Sequence, residues 1–144
     1  MSFMQQFSEF LGNHMLLAGA LLAILVALIA NELVLIRRGG RRLAPSDAVR
    51  LINDKDALIV DLRAATDYKR GHIVDSRNIP MAKLDDEIKS LRKHQSKPIL
   101  LCCALGSSAA QAGVKLRAAG FEEVYPMSGG INAWQNAGLP LTTK

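Results

Sequence analysis

The feature that most constrains this chain is an unbroken apolar run near its start. Residues 15–36 read MLLAGALLAILVALIANELVLI, and only Asn31 and Glu32 are strongly polar. At about 1.5 Å per residue the run makes a helix of roughly 33 Å, enough to cross a bilayer core of about 30 Å. A buried core helix fits poorly, because a chain of 144 residues leaves room for only one ordinary domain to surround it. A cleaved leader fits poorly too. The residues before the run, MSFMQQFSEFLGNH, hold no Lys or Arg, and no small-x-small site closes it. The expected organisation is a short external N-terminus (1–14), a transmembrane helix (15–36), a basic linker (37–45) and a folded domain (46–144).

Charge sets the expected orientation. All 18 Lys and Arg lie at or beyond Arg37, whereas Glu9 and Glu32 are the only acids before it. Segment 37–144 therefore carries 18 basic and 11 acidic side chains, net +7, and segment 1–36 carries −2. The cluster Arg37, Arg38, Arg41 and Arg42 holds its side of the span in the cytoplasm. This predicts a single-pass protein of a bacterial-type inner membrane, N-terminus out and domain in. The basic excess also attracts an anionic leaflet. Nucleic acid is not an expected partner, since the basic residues are scattered and aromatics make up only 5%. Glu32 lies about one turn from Arg37 and can reach the interface, so snorkelling explains it better than a proton relay. The stripe Gly19, Ala20, Ala23, Ala27 and Ala30 could be a packing face, but chance filling of an Ala-rich span explains it better.

Beyond the span the pattern alternates. Gly39-Gly40 and Ala44-Pro45 break regular structure, and Ser46 offers an N-cap to a short helix. Residues 57–60 (ALIV) form an apolar strand ending at Asp61. A helical turn covers 64–70, and 76–79 forms a short strand closed by Pro80. Met81, Leu84, Ile88 and Leu91 fall at helical spacing, acids early and bases late. Residues 98–102 (PILLC) are a second apolar strand. An Ala-rich helix over 108–119 ends at Gly120, Val124-Tyr125 is a strand, and 130–137 a last helix. Strands alternating with helices predict a parallel α/β sheet with helices on both faces. Ligands in such sheets bind beyond the carboxyl ends of strands, where Asp61 and Cys103 both stand.

The chemistry concentrates at Cys103, Ala104, Leu105, Gly106, Ser107, Ser108 and Ala109. A cysteine leaves a buried strand, a short loop turns, and a helix begins. Gly106 permits a positive φ, and with no proline every backbone N–H from Ala104 to Ala109 is free to curl around one point. Such a nest, added to the helix N-terminus, would hold a thiolate or a bound persulfide. The competing reading is a structural cysteine, the common fate of a buried thiol.

Longer motifs accompany this loop. Asp61-Leu62-Arg63, Asp67-Tyr68, Gly71-His72-Ile73 and Asn78-Ile79-Pro80 precede it. Gly120-Phe121, Gly129-Gly130, Trp134 and Gly138-Leu139-Pro140 follow it. In this order, from Leu43 to Leu141, the chain resembles the rhodanese-like domain family. The resemblance implies a five-stranded parallel sheet, and sulfur transfer through a persulfide on the residue matching Cys103, with Gly106 as the loop glycine. No cofactor is expected. Partners would be a small sulfur donor and a thiol or cyanide-like acceptor. The six-residue loop from Cys103 to Ser108 matches sulfurtransferases, whereas related phosphatases use one residue more. The family often ends this loop with Arg followed by Ser or Thr, where this chain has Ser108 and Ala109. Without the guanidinium an anionic donor such as thiosulfate loses a bidentate partner.

The remaining candidates have simpler readings. Cys102 points to the other side of the strand and is expected in the core, with a redox role as the alternative, and vicinal cysteines rarely close a disulfide, least of all in a reducing compartment. Two Cys and three scattered His give no metal site. His72 is expected to make a structural hydrogen bond. Asp61 and Arg63 are expected to pair and brace the site, while Phe121 and Trp134 belong to the core. Two function classes remain: a membrane-anchored sulfurtransferase using Cys103, and a non-catalytic module tethered to bind a membrane protein.

Overall fold

The computed structural model describes residues 1–144, and the chain divides into two units, Met1–Val34 and Leu35–Lys144. In the first, Ser2 and Gln5 cap each other reciprocally, side chain to backbone, and start helix α1 (Phe3–Asn13). Helix α2 (Met15–Gly39) contains the apolar run and is long and apolar enough to cross a membrane. Its side chains from Met15 to Ile36 are exposed, apart from the half-buried Ala18.

The second unit holds the sheet. Helix α3 (Pro45–Lys55) starts two residues earlier than its sequence pattern predicts. Ala44 takes the N-cap and Pro45 the first helical position, and no side chain caps it, so Ser46 is not the cap. Proline suits that position because its fixed φ is already helical and the missing N–H is one the helix leaves unpaired. Strand β1 (Leu58–Asp61), helix α4 (Ala65–Arg70) and strand β2 (Arg77–Asn78) follow. Met81–Lys83 forms a 3-10 turn before helix α5 (Leu84–Leu91). Strand β3 (Ile99–Cys102), helix α6 (Ser107–Ala118), strand β4 (Val124–Pro126) and helix α7 (Gly130–Asn136) complete the chain.

The sheet is fully parallel in the order β2-β1-β3-β4. It has four strands, not the five that the resemblance implies. At the fifth position, outside β4, stands a single parallel bridge between Leu43 and Met127. The Leu43 N–H donates to the Pro126 carbonyl at 2.9 Å, and its own carbonyl accepts from Ser128 at 2.8 Å. Gly40 turns the backbone at φ +88° just before, and Pro45 opens a helix just after, which leaves no length for a strand.

The period of two along β3 divides the core. Ile99, Leu101 and Cys103 face α5 and α6, packing with Leu84, Leu91, Ala109, Ala112 and Leu116. Leu100 and Cys102 face the other side, with Ala48, Ile73, Ile131 and Trp134. Helices thus cover both faces, as a buried parallel sheet requires. Leu84, Leu91, Leu100, Leu101 and Leu116 are fully buried, and truncating any of them to Ala would cost about 2–5 kcal/mol. Phe121 and Trp134 are both in the core, and the Trp134 indole N–H donates to the Pro140 carbonyl at 3.0 Å.

Candidate active site

Cys103 is the first residue beyond β3. Its neighbours in sequence climb out of the core: Ala104, Leu105 and Ser107 are exposed, Gly106 and Ser108 half-buried, and Ala109 buried again on α6. Gly106 adopts φ +104° and is the N-cap of α6. A Cβ there would stand 3.1 Å from the Gly129 amide nitrogen, so glycine satisfies both the turn and the close approach.

Two of the loop's amides aim at the sulfur. The Gly106 N–H donates to Cys103 Sγ at 3.0 Å, and the Ala109 N–H at 3.4 Å. Ala109 lies in the first turn of α6, whose amides have no intrahelical partner. The sulfur therefore receives donors that the helix start leaves free, together with the positive end of its dipole. Cys103 itself is only 4% exposed.

A second clamp holds the loop from below. The amides of Ile131 and Asn132, in the first turn of α7, donate to the carbonyls of Cys103 (2.8 Å) and Ala104 (3.2 Å). Gly129 (φ +72°) and Gly130 (φ +59°) make this approach, and a Cβ on Gly130 would collide with the Cys103 carbonyl. The sequence shows Gly129-Gly130 only as a motif. Two consecutive glycines before a helix are its one sign of a close backbone contact.

Asp61 and Arg63 brace the neighbouring strand end. The fully buried Asp61 carboxylate accepts from the Arg63 amide at 3.0 Å and from its guanidinium at 2.7 Å. Arg63 also donates to the Gly71 carbonyl at 2.6 Å. The hydrogen bond to Asp61 pushes the Arg63 guanidinium still further above its ordinary pKa. Asn78 locks the turn by donating to the carbonyls of Asp61 (3.1 Å) and Arg63 (2.9 Å). Arg63 lines a shallow groove of about 260 Å³ with Arg70, Gly71, Gln135 and the loop residue Ala104. The structure thus brings Arg63 beside the loop, with its guanidinium already engaged.

The other chemistry-bearing residues lie apart. Cys102 faces the opposite core, its Sγ 3.5 Å from the Val60 carbonyl. Burial pushes its thiol pKa well up, and the Asp61 carboxylate adds to the shift. His72 is buried and stacked on Tyr68, with ring nitrogens 2.8 Å from the Tyr68 carbonyl and 3.0 Å from a Lys144 main-chain oxygen. It ties the end of the chain to α4, a structural role.

A family model for the rhodanese-like domain matches residues 44–137. The chain belongs to the rhodanese-like domain family. Among similar chains, the uncharacterized Escherichia coli protein YibN is 32% identical over 139 residues, covering 96% of this chain and 97% of that one. The thiosulfate sulfurtransferase GlpE of Pseudoalteromonas translucida is 31% identical over 97 residues, covering 67% of this chain and 90% of its own. The crystal structure of a rhodanese-related protein from Thermoplasma volcanium superposes with a TM-score of 0.66 at 27% identity, covering 72% of this chain and 99% of that one. The similarity to YibN extends over the N-terminal helices as well as the rhodanese-like domain, whereas GlpE matches about two thirds of the chain.

Proposed function

We propose that this chain is a membrane-anchored sulfurtransferase that carries sulfane sulfur as a persulfide on Cys103. The observation that carries this reading is the Cys103 sulfur held beneath the Gly106 and Ala109 amides at the mouth of the β3–α6 loop. A thiolate there attacks the outer sulfur of a donor persulfide, R–S–S⁻. The donor's S–S bond breaks, and RS⁻ leaves with the bonding pair and takes up a proton. Cys103–S–S⁻ remains, its charge facing the same amides. An acceptor thiolate, or cyanide, then attacks the terminal sulfur. The bond to Cys103 breaks, the thiolate is restored, and the product is a new persulfide or thiocyanate. No net oxidation occurs and no cofactor is required.

Donors of low charge suit this loop. Ser108 offers a hydroxyl where the family often has a guanidinium, and Arg63 is committed to Asp61 and Gly71. Thiosulfate, with two charges and a bulky sulfonate, is the poorer match.

The anchor is α2. Apolar side chains that no protein covers need an apolar solvent, and its length suits a bilayer. Arg37, Arg38, Arg41 and Arg42 favour the N-terminus outside and the domain in the cytoplasm of a bacterial-type inner membrane. One further observation favours a second reading. A rhodanese-like domain with Ser108 in its loop, tied to a span, also suits a non-catalytic module that binds a membrane-protein partner.

The deciding assay supplies a persulfide donor and cyanide to the full chain in detergent. Thiocyanate release that disappears in Cys103→Ser supports the enzyme. No release, from any sulfane-sulfur donor, favours the binding module. External protease on intact spheroplasts should leave residues 37–144 uncut, and digestion of that segment would overturn the orientation.

A further inference from the structure

Where α2 ends, three arginines share one cavity. Arg37 and Arg38, from the last turn of α2, and Arg117, from the last turn of α6, line a space of about 480 Å³ with Val114 and Ala118. No acid lines it, and none of the chain's ion pairs involves any of the three. The Arg117 Nε–H is buried without an acceptor. Such orphaned donors are rare in folded proteins.

Glycines set the backbone packing beside this cavity. The Gly39 carbonyl packs against Gly113, where a Cβ would collide with it. Gly40 turns at φ +88° beneath the Arg117 guanidinium, where a Cβ would stand 2.7 Å from Nε and 3.0 Å from Nη2. The pair Gly39-Gly40, a simple linker by sequence, seats the end of α2 on α6 and lays the guanidinium over the chain.

Helix dipoles alone do not explain the cluster. A helix C-terminus offers roughly half a negative charge, so two termini offset roughly one of the three positive charges. The remainder matches an oxyanion of one or two charges with several acceptor oxygens, the geometry arginine forks recognise. Arg37 and Arg38 directly follow the apolar run, at the depth of lipid headgroups if α2 spans a membrane.

We propose that Arg37, Arg38 and Arg117 form a binding site for a phosphate oxyanion, supplied by the headgroup of an anionic phospholipid. The anion site stands on the geometry above. The lipid as its source rests on the membrane-anchor reading, and soluble phosphate is the alternative source.

The test uses the full chain in a neutral detergent, titrated separately with phosphatidylglycerol and with inorganic phosphate. Native mass spectrometry reads lipid retention, and thermal unfolding reads stabilisation. The expected result is retention of phosphatidylglycerol with a rise in Tm. Arg117→Gln should weaken binding by about tenfold or more, the scale of one charge-assisted hydrogen bond, and Arg38→Gln should weaken it in the same direction. Arg77→Gln, at a surface arginine paired with Glu87, serves as the charge control and should bind as wild type. Protection of Cys102 from labelling verifies that each variant is folded. Equal retention by wild type and by folded Arg117→Gln and Arg38→Gln would overturn the site. Binding of inorganic phosphate with the same arginine dependence, and no retention of phosphatidylglycerol, would overturn the lipid assignment.

Discussion

Cys102 and Cys103 are adjacent in sequence and face opposite cores of the sheet, one sulfur against the Val60 carbonyl and the other beneath the Gly106 and Ala109 amides. A strand's alternation alone separates an inert thiol from one that receives two amide donors. In the native protein, alkylating reagents should modify Cys103 and spare Cys102 until the domain unfolds. Peptide mapping after labelling, in wild type and in Cys103→Ser, checks this, and rapid native labelling of Cys102 would contradict it.

The same burial makes stability depend on pH. The unfolded Cys102 thiol titrates near the ordinary value of about 8.5, whereas the folded one is pushed well above it. Between the two values the folded state keeps a proton that the unfolded state has released. This contribution to stability is therefore whole below about pH 8.5 and declines as pH rises further, by up to about 1.4 kcal/mol per pH unit. Denaturant titrations across alkaline pH should show a steeper loss in wild type than in Cys102→Ala.

Gly130 is the position where loop geometry and chemistry can be separated. A Cβ there meets the Cys103 carbonyl and forces φ +59° on an L-residue. Gly130→Ala should displace the loop and reduce sulfur transfer more than tenfold, while Gly138→Ala, at an open glycine of similar φ, should cost stability alone. Comparing kcat/KM with Tm for the two variants makes the distinction.

Arg63 is the natural target for testing the brace. Its side chain is 12% exposed and its partner Asp61 is fully buried, so Arg63→Ala leaves an uncompensated carboxylate. Removing one partner of a buried pair costs roughly 3–5 kcal/mol. A loss of unfolding free energy of that size is expected in denaturant titrations, and a loss near zero would show that the pair is dispensable.

Ser108 tests donor choice. A charge-assisted hydrogen bond is worth roughly 1.5–3 kcal/mol, so its absence should weaken transition-state binding of thiosulfate by about one to two orders of magnitude. Ser108→Arg should raise thiosulfate turnover and leave low-charge persulfide donors little changed. Efficient thiosulfate use by wild type, unmoved by Ser108→Arg, would point to another cation, with Arg70 in the groove beside Ala104 the next to replace.

The alternation of apolar strands with amphipathic helices located nearly every element, because each buried strand is a short Leu/Ile/Val run closed by a breaker. The reduction of the expected fifth strand to a single bridge at Leu43 was not legible, since one bridge has no pattern to read, and the cap at Ala44 was hidden because Pro45 replaces a side-chain cap. The loop from Cys103 to Ala109 could be read from its glycine and its place between strand and helix. The clamp from α7 could not, because Gly129 and Gly130 act on a backbone segment distant in sequence, through carbonyls that no residue type announces. The brace between Asp61 and Arg63 was legible because both stand at one strand end, whereas the partnerless Arg117 emerges only when α2 and α6 are packed together.

The most direct test of the central claim is the intact mass of the full chain after exposure to sulfane-sulfur donors, followed by peptide mapping. The account predicts a gain of one sulfur atom, located on Cys103, reversed by a thiol acceptor and absent in Cys103→Ser. A mass unchanged by every donor, or a sulfur located on Cys102, would contradict it.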